Sequence, residues 1–406
     1  MWLLMTVLTI LISYGSLFPF DYVPHAPAWA DLAQLALDWP QRLSVIDVVG
    51  NVVLFVPYGL LLAALPARRA RLAWAVFGLA LAWALQYVQF WFPSRVPSGS
   101  DAWFNSLGLV AGFAAGWSLR AWTVARLARH PAWDAPGWPV PAALLAAWVL
   151  YRWFPLVPSL DWQNLKNGLK PLLLNPQWDA VRSLHDATAW LLWFSIARIA
   201  ARLGPDGGPW RRLGGAGPWL AATAVVAAEP LFEGNAVSLS NVVGLLAALV
   251  CAPWLARGSG WRGALVAAGV CASFAVSGLA PGLDGGFFQP FHWLPFAGML
   301  NGSMVVNTAA LLEKGFLLGG VIYLLGALGW PAPAAGLVLA LELAVVEGLQ
   351  CWVPGHTPEI TDPLLALLFG VLLAVLPGRA AGRVAAGRRA ASGARRGAVR
   401  AEHRAR

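Results

Sequence analysis

Long apolar stretches alternate with short polar connections along almost the whole chain. Each stretch approaches the roughly 20 residues that a helix needs to cross a bilayer. A membrane span must satisfy its backbone hydrogen bonds internally, so each stretch is predicted to be a helix. The stretches are residues 1–18, 48–65, 72–92, 102–119, 139–157, 184–203, 215–232, 239–256, 262–281, 303–326, 331–350 and 361–377. The pattern therefore predicts an all-α, polytopic membrane protein with about 12 transmembrane helices.

Composition supports this class and excludes others. Of the 406 residues, 59% are hydrophobic and 12% are charged, whereas soluble domains carry about 25% charged residues. So few charges cannot cover the surface of a soluble enzyme or a nucleic-acid-binding domain of this size. The three cysteines form no Cys-x-x-Cys pair and the six histidines are not spaced as ligands. We therefore predict no disulfide framework, no metal site and no other cofactor.

The distribution of basic residues predicts an orientation. If the N-terminus is cytoplasmic, 21 of the 28 Lys and Arg residues fall in the inner loops and the tail, and five fall in the outer loops. Cytoplasmic loops of membrane proteins are enriched in Lys and Arg. Both termini are therefore predicted to be cytoplasmic in a multi-pass protein of the cell membrane. The first apolar stretch has no basic residue before it, so it is predicted to be an uncleaved span.

The predicted spans divide into three sets of four, which suggests an internal repeat. The first span of each set ends at a proline: Pro19, Pro155 or Pro281. The chain is therefore predicted to contain three degenerate four-helix units, the second matching the others least well. The predicted boundaries are 1–120, 139–256 and 262–377 for the units, 121–138 for a cytoplasmic linker and 378–406 for a basic, disordered tail.

Polar side chains recur at the predicted outer ends of the third and fourth spans. The third spans end in polar pairs spaced to share one helix face, and Asp101 and Asp362 begin two of the fourth spans. Two interpretations remain open: these side chains cap helices and hold the fold together, or they line a polar pocket open to the outer leaflet. The ligand-binding candidates are Gln86, Gln89, Arg95, Asp101, Asn105, Glu347, Gln350, His356 and Asp362.

Several ionisable residues are predicted to lie at membrane depth, where they usually face a bundle interior or a wet cavity. Lys314 and Glu342 are hypothesised to pair across helices on the basis of charge alone. The full set is Arg152, His185, Asp186, Glu313, Lys314, Glu342 and Glu347.

The first set carries a recognisable pattern. It reads Asn51-x3-Phe55-x-Pro57-x-Gly59, then Gln86-x2-Gln89, then Arg95, then Asp101-x3-Asn105-x2-Gly108. This pattern resembles the VanZ-like membrane proteins, a family named for an accessory factor in teicoplanin resistance. The last third of the chain echoes it at Asn307, Glu347, Gln350, His356 and Asp362.

This chain departs from the family pattern at three positions. Gln86 stands where the family often has Glu, His356 where it has Arg, and Ala366 where it has Asn. The resemblance implies a cell-envelope membrane protein linked to glycopeptide susceptibility, with one good copy of the family domain and two degenerate ones.

Three functions remain open. The first is binding of a lipid-linked cell-wall precursor, a lipoglycopeptide or another amphiphile at an outer-face polar pocket. The second is a membrane enzyme that acts on a lipid or cell-wall intermediate by carboxylate and histidine acid–base chemistry. The third is a transporter, although the common twelve-span transporter is built from two halves of six. Membrane lipids are the expected partners in each case, and no nucleic acid is expected.

Overall fold

A computed structural model describes residues 2–24, 27–35, 37, 45–127, 139–203, 216–256, 260–281, 287–301 and 304–375. Within these ranges the chain is helical and contains no β-strand, which confirms the predicted all-α class. Two isolated backbone bridges, Pro158 with Phe232 and His292 with Glu359, join loops. The predicted tail at 378–406 and the end of the predicted linker, 128–138, lie outside the described residues.

The described helices form three successive groups of five. The first group is α1 (Trp2–Leu17), α2 (Trp29–Gln34), α3 (Val45–Ala64), α4 (Arg68–Val88) and α5 (Gly99–Leu127). The second is α6 (Pro139–Trp153), α7 (Trp162–Leu173), α8 (Ala180–Leu203), α9 (Gly217–Ala228) and α10 (Leu239–Ala256). The third is α11 (Gly260–Leu279), α12 (Ala297–Asn301), α13 (Met304–Ala327), α14 (Ala332–Gln350) and α15 (Thr361–Val375).

Every predicted apolar stretch overlaps one of these helices, and the second helix of each group lies outside the predicted stretches. Four described segments are long and apolar enough to cross a membrane, judged by length and composition alone: Arg68–Trp91, Gly260–Leu279, Val306–Ala327 and Ala332–Gln350. Shorter apolar helices are Trp2–Leu17, Val48–Ala64, Val140–Trp153, Leu239–Leu255 and Thr361–Val375. The helices therefore support a membrane protein.

Proline places several helix boundaries. Pro218 and Pro333 lie in the first turns of α9 and α14, where the missing N–H has no intrahelical partner to lose. After α9, Pro230 cannot donate to the helix ladder, and the chain tightens into a 3-10 turn over Glu229–Leu231. A matching 3-10 turn follows α4 at Gln89–Trp91. Both turns bring the polar end of a helix to a loop.

The backbone contacts divide the chain into two compact units, Met1–Pro131 and Ala132–Arg406. In the first unit, α3 and α5 pack backbone against backbone at glycines. A Cβ added to Gly108 would lie 2.1 Å from the carbonyl oxygen of Val52, and one added to Gly112 would lie 2.2 Å from that of Val56. The apolar core beside this contact is Met5, Ile12, Phe55, Tyr58, Leu62, Leu65, Ala82, Leu85 and Leu109.

The second compact unit joins the second and third helix groups around one aromatic core. Trp148 of α6 and Trp190 of α8 are fully buried and meet edge to face, with ring centroids 5.6 Å apart. Phe316 of α13 lies 5.0 Å from Trp148 by the same measure. Helices of both groups therefore bury their apolar faces together, so these two groups form one folded body.

Candidate ligand-binding site

The candidate glutamines of the first unit hold helix ends together. Buried Gln86, near the end of α4, accepts a hydrogen bond from the backbone N–H of Ser98 at 3.0 Å, just before α5 begins. Buried Gln89 donates from Nε2 to the carbonyl oxygen of Ser16 at 2.8 Å, in the last turn of α1. The first and last backbone groups of a helix have no intrahelical partner, and these two side chains supply one at each place.

Arg95 binds the same end of α1. Its Nη2 donates to the carbonyl oxygen of Gly15 at 3.0 Å, and a cation suits a helix C-terminus. The neighbouring Ser94 donates from its backbone N–H and its hydroxyl to the Asp21 carboxylate, at 2.8 and 2.9 Å. Burial lowers the pKa of the Arg95 guanidinium, and nearby Asp21 acts in the opposite direction. The hydrogen bonds of Ser94 and Arg95 join the loop after α4 to the end of α1 and the loop that follows it.

Asp101 and Asn105 lie on the first two turns of α5. Asp101 is half-buried and falls within the first helical turn, where a carboxylate complements the helix dipole. Asn105 is 1% exposed, and its Oδ1 accepts no hydrogen bond from any described residue. The first-unit candidates therefore meet at one end of α1, α4 and α5, and three of them serve as helix caps.

The third helix group repeats this arrangement with the same spacing. Glu347 of α14 accepts a hydrogen bond from the backbone N–H of Glu359 at 2.8 Å, twelve residues further on, as Gln86 does from Ser98. His356 binds the carbonyl oxygen of Ala280, just after α11, from Nε2 at 2.7 Å. Because a carbonyl oxygen only accepts, His356 carries its proton on Nε2 in this contact.

The middle group keeps part of the same frame with other side chains. Asn235 donates from Nδ2 to the carbonyl oxygen of Arg152, at the end of α6, at 3.3 Å. Val226 occupies the position that corresponds to Gln86, and it cannot accept a hydrogen bond. The backbone N–H of Ser238 is instead accepted by Asn241 Oδ1 at 2.9 Å. These replacements agree with the prediction that the second unit matches the others least well.

The middle group also contains a buried charge cluster. Arg152 donates from Nε to Glu229 at 2.6 Å and from Nη1 to Asp186 at 2.9 Å. Asn241 donates to the second oxygen of Asp186 at 2.6 Å. All four side chains are buried, and the guanidinium lies over the Trp148 ring at 5.7 Å from its centroid. Each charge has a partner, as burial requires.

Sequence reasoning placed Arg152 and Asp186 at membrane depth but did not join them to Glu229 or Asn241. A shared spacing could have indicated Asn241. In each group a polar residue lies three positions after the residue whose backbone N–H is capped: Asp101 after Ser98, Asn241 after Ser238 and Asp362 after Glu359.

In the third group, charged side chains gather beside the cap formed by Glu347. Lys314 of α13 donates to Asp362 of α15 at 2.5 Å, and the two side chains keep 27% and 13% exposure. Glu347 and Glu359 lie close enough to Lys314 to interact with it electrostatically. Glu359 also accepts from the backbone N–H of Gly298 at 3.1 Å. We call Lys314, Glu347, Glu359 and Asp362 the third-group cluster.

The hypothesised pair of Lys314 with Glu342 is replaced by the pair with Asp362. Glu342 lies instead against the thiol of Cys271 on α11. Gln350, the remaining candidate in this group, is 8% exposed and its amide approaches Gly278 of α11. The third-group candidates therefore converge around the ends of α11, α14 and α15, as the first-unit candidates do around α1, α4 and α5.

Polar contacts link the middle and third groups at Glu313 of α13. His185 of α8 meets Glu313 at 3.0 Å, and Tyr151 of α6 forms a hydrogen bond with the same carboxylate. His185 and Glu313 are the chain neighbours of Asp186 and Lys314, so the middle cluster and the third-group cluster lie on helices that contact each other. Among the described residues, no three His, Cys, Asp or Glu side chains are placed to hold a metal ion.

The first unit is similar to a known protein family. No curated protein matches the chain, and no solved structure matches it either. Residues 2–120 match the family model VanZ/LLP1. The matched segment includes the helix-capping residues Gln86, Gln89 and Arg95 and ends within α5. The resemblance predicted from sequence is therefore confirmed over this segment: residues 2–120 are a VanZ-like domain, and the apolar helices support a membrane protein.

Proposed function

We propose that this VanZ-like protein contains three four-helix units and binds the polar head of an amphiphilic, lipid-linked cell-envelope ligand at the third-group cluster. The repeat is supported in the first and third groups by a side chain that caps a backbone N–H twelve residues further on. In all three groups, a side chain from the later loop binds a carbonyl oxygen at the end of the first helix. The bias of Arg and Lys toward alternate loops favours the extracytoplasmic leaflet for this site and the cytoplasm for both termini.

The observation that carries the proposal is the partial exposure of the Lys314–Asp362 pair. The charges of the middle cluster pair with one another in a buried network, and Gln86, Gln89 and Arg95 are used as helix caps. In the third-group cluster, the paired charges of Lys314 and Asp362 keep 27% and 13% side-chain exposure. A carboxylate accepts about four hydrogen bonds and an ammonium donates three, so each retains capacity for a ligand.

The charge of the cluster selects the chemistry of the ligand. Three carboxylates surround one ammonium, so the cluster favours ammonium groups and amide N–H donors and disfavours a phosphate. The peptide of a lipid-linked cell-wall precursor and a lipoglycopeptide such as teicoplanin both present such donors on a molecule that also has an apolar chain. A role in glycopeptide susceptibility is part of this proposal.

An acid–base enzyme is less well supported. The hydrogen bond from His356 Nε2 to Ala280 commits this histidine to a backbone cap. Without His356, the acid–base set suggested by the sequence is reduced to carboxylates, and Glu347 and Glu359 already accept backbone N–H groups. Binding therefore explains the arrangement better than turnover.

The test uses two substitutions that the chain itself contains elsewhere. Glu347→Gln copies Gln86 and keeps a cap that folds in the first group, and Asp362→Asn introduces the residue that the middle group has at this position, Asn241. Each change removes one charge from the cluster. Glu342→Gln, on the same helix as Glu347 but against Cys271, is the matched control. Thermal shifts of the detergent-purified protein are measured with a lipid-linked peptidoglycan precursor and with teicoplanin.

We expect a ligand-induced rise in Tm for the native protein and for Glu342→Gln, and its loss in both cluster variants at unchanged basal Tm. A lower basal Tm in the two cluster variants would assign the cluster to folding alone. Expression of the native protein and of Glu347→Gln in a susceptible Gram-positive host then tests the link to teicoplanin, which predicts reduced susceptibility with the native protein alone.

A further inference from the structure

A second site lies in the first compact unit, outside the polar ends described above. A cavity of about 430 Å³ opens between the end of α3, the first half of α4 and the middle of α5. Its lining residues are Leu62, Arg68, Arg71, Leu72, Ala75, Leu79, Leu109, Val110, Phe113 and Trp117. Its volume falls within the roughly 300–1,000 Å³ of small-molecule sites, so it is large enough for a bound ligand.

The lining is divided by polarity along the length of α4. From Leu72 to Leu79 the wall is apolar, and the charges are at the other end, on Arg68 and Arg71. With a rise of about 1.5 Å per residue, α4 supplies a wall about 16 Å long between Arg68 and Leu79. A long apolar slot with cations at one end has the shape and polarity of a lipid chain with an anionic head group.

The position of Arg71 is fixed by contacts within the unit. Its Nη1 donates to the carbonyl oxygen of Leu65 at 2.9 Å, and its guanidinium lies over the Trp117 ring at 5.1 Å from the centroid. A guanidinium has five N–H donors, so most of them remain for a ligand. Arg68 is exposed at the start of α4 and is free to approach the same point.

The two arginines have no balancing charge among the described residues. The first turn of α4 contains no acidic residue, and neither Arg68 nor Arg71 is in an ion pair with a described residue. Cations at a helix N-terminus oppose the helix dipole, so this end of α4 is electrostatically unfavourable as it stands. A phosphate would compensate the arginines and the exposed backbone N–H groups together.

We propose that this cavity binds one anionic phospholipid, with an acyl chain against Leu72, Leu79 and Phe113 and the phosphate at Arg68 and Arg71. The site is separate from the third-group cluster in both place and charge, since one attracts an anion and the other an ammonium. It is also distinct from a diffuse attraction of basic loops to an anionic membrane, because it requires the apolar slot as well as the charges.

The experiment measures lipid retained by the full-length protein after detergent purification. The protein is placed in mixed micelles that contain equal amounts of phosphatidylglycerol and phosphatidylcholine, and bound lipid is counted by native mass spectrometry. Arg68→Gln and Arg71→Gln test the head-group contact, and Ala75→Trp tests the slot by filling it. Arg69→Gln is the matched control, since Arg69 lies in the same turn but does not line the cavity.

We expect one tightly held phosphatidylglycerol on the native protein and on Arg69→Gln. Each cavity arginine variant should retain about five-fold less, which corresponds to about 1 kcal/mol for a basic residue near an anionic lipid. Ala75→Trp should abolish the stoichiometric species. Equal losses for Arg69→Gln and Arg68→Gln, or full retention by Ala75→Trp, would overturn the proposal in favour of general surface charge. Arg68 makes no described hydrogen bond, so its variant keeps the test valid if Ala75→Trp fails to fold.

Discussion

At the scale of single residues, the charged side chains of this protein differ in how much of their surface and hydrogen-bonding capacity remains available to a ligand. Arg152 gives Nε and Nη1 to two buried carboxylates and stacks on an aromatic ring. Lys314 and Asp362 keep part of their surface exposed. Truncating a partner in a buried cluster leaves an uncompensated charge, whereas a partly exposed pair can be neutralised at lower cost.

This difference predicts a large effect for Arg152→Met. The change leaves Asp186 and Glu229 buried without their cation, so the free energy of unfolding should fall by about 3–5 kcal/mol. Arg182→Gln is the control, because Arg182 is an exposed arginine on α8. Unfolding of the detergent-purified variants by denaturant measures the loss. The triple change Arg152→Met, Asp186→Asn, Glu229→Gln should recover most of it, and an equally unstable triple variant would contradict the role of unpaired charge.

A second residue-scale prediction concerns His356. Arg95 and His356 occupy corresponding positions and bind carbonyl oxygens at the end of the first helix of their groups. His356→Arg should therefore retain stability, whereas His356→Leu should lower it by about 1 kcal/mol by removing one hydrogen bond. The midpoint of thermal unfolding separates the two variants. A loss of ligand-induced stabilisation in His356→Arg at normal basal stability would show that the histidine also has a binding role.

The sequence revealed the site residues better than their roles. Spacing alone selected Gln86, Gln89 and Glu347, because polar side chains recur at the ends of apolar stretches. It could not show that Gly15 and Ser16 present their carbonyl oxygens at the same place, since those partners are more than seventy residues away. The middle cluster was missed for a related reason. Asn241 supplies, from a different position, the cap that Val226 cannot form, and a comparison of residue types at matching positions does not detect such compensation.

At the scale of helices, close packing in the first unit depends on glycine. Gly108 of α5 faces the carbonyl oxygen of Val52 on α3, where a Cβ would lie at 2.1 Å. Backbone cannot move aside as a flexible side chain can. Small residues let membrane helices approach this closely, so α3 and α5 would have to separate to admit even one methyl group.

Gly108→Ala should accordingly destabilise the protein by about 1–3 kcal/mol, the cost of overpacking a tight contact. Gly326→Ala on α13 is the control, because a Cβ there meets nothing within 4 Å. That variant should be neutral or gain up to about 1 kcal/mol from helix propensity. Thermal unfolding in detergent compares the two, and a Gly108→Ala variant as stable as the native protein would show that the two helices can separate freely.

Helix positions were predictable because bilayer length and hydrophobicity leave a strong signal, and every predicted apolar stretch overlaps a helix. Helix ends were less predictable. The stretch predicted at 215–232 is helical only to Ala228, because Pro230 forces a 3-10 turn. The stretch at 139–157 is helical only to Trp153, two residues before Pro155. These local stops place Glu229 and Arg152 at their contact.

At the scale of the whole molecule, the boundary between the second and third helix groups is a boundary in sequence only. Trp148 and Phe316 belong to different groups but share a core, and His185 meets Glu313 across the same division. Apolar periodicity predicts how many helices there are, but it cannot tell which helices bury their faces together. The predicted units at 139–256 and 262–377 therefore form one folded body in the structure.

This shared core predicts that the chain tolerates a cut between the two groups. Residues 1–257 and 258–406, co-expressed as separate pieces with a tag on one, should purify together, because the buried surface of Trp148, Trp190 and Phe316 holds α6, α8 and α13 in contact. Large-to-small changes in a core cost about 3–5 kcal/mol each for aromatic residues. The pair carrying Trp148→Ala and Phe316→Ala should therefore dissociate during purification, whereas Trp103→Ala, an exposed tryptophan of the first unit, should leave co-purification intact. Pieces that separate even with the native core would show that the two groups fold independently.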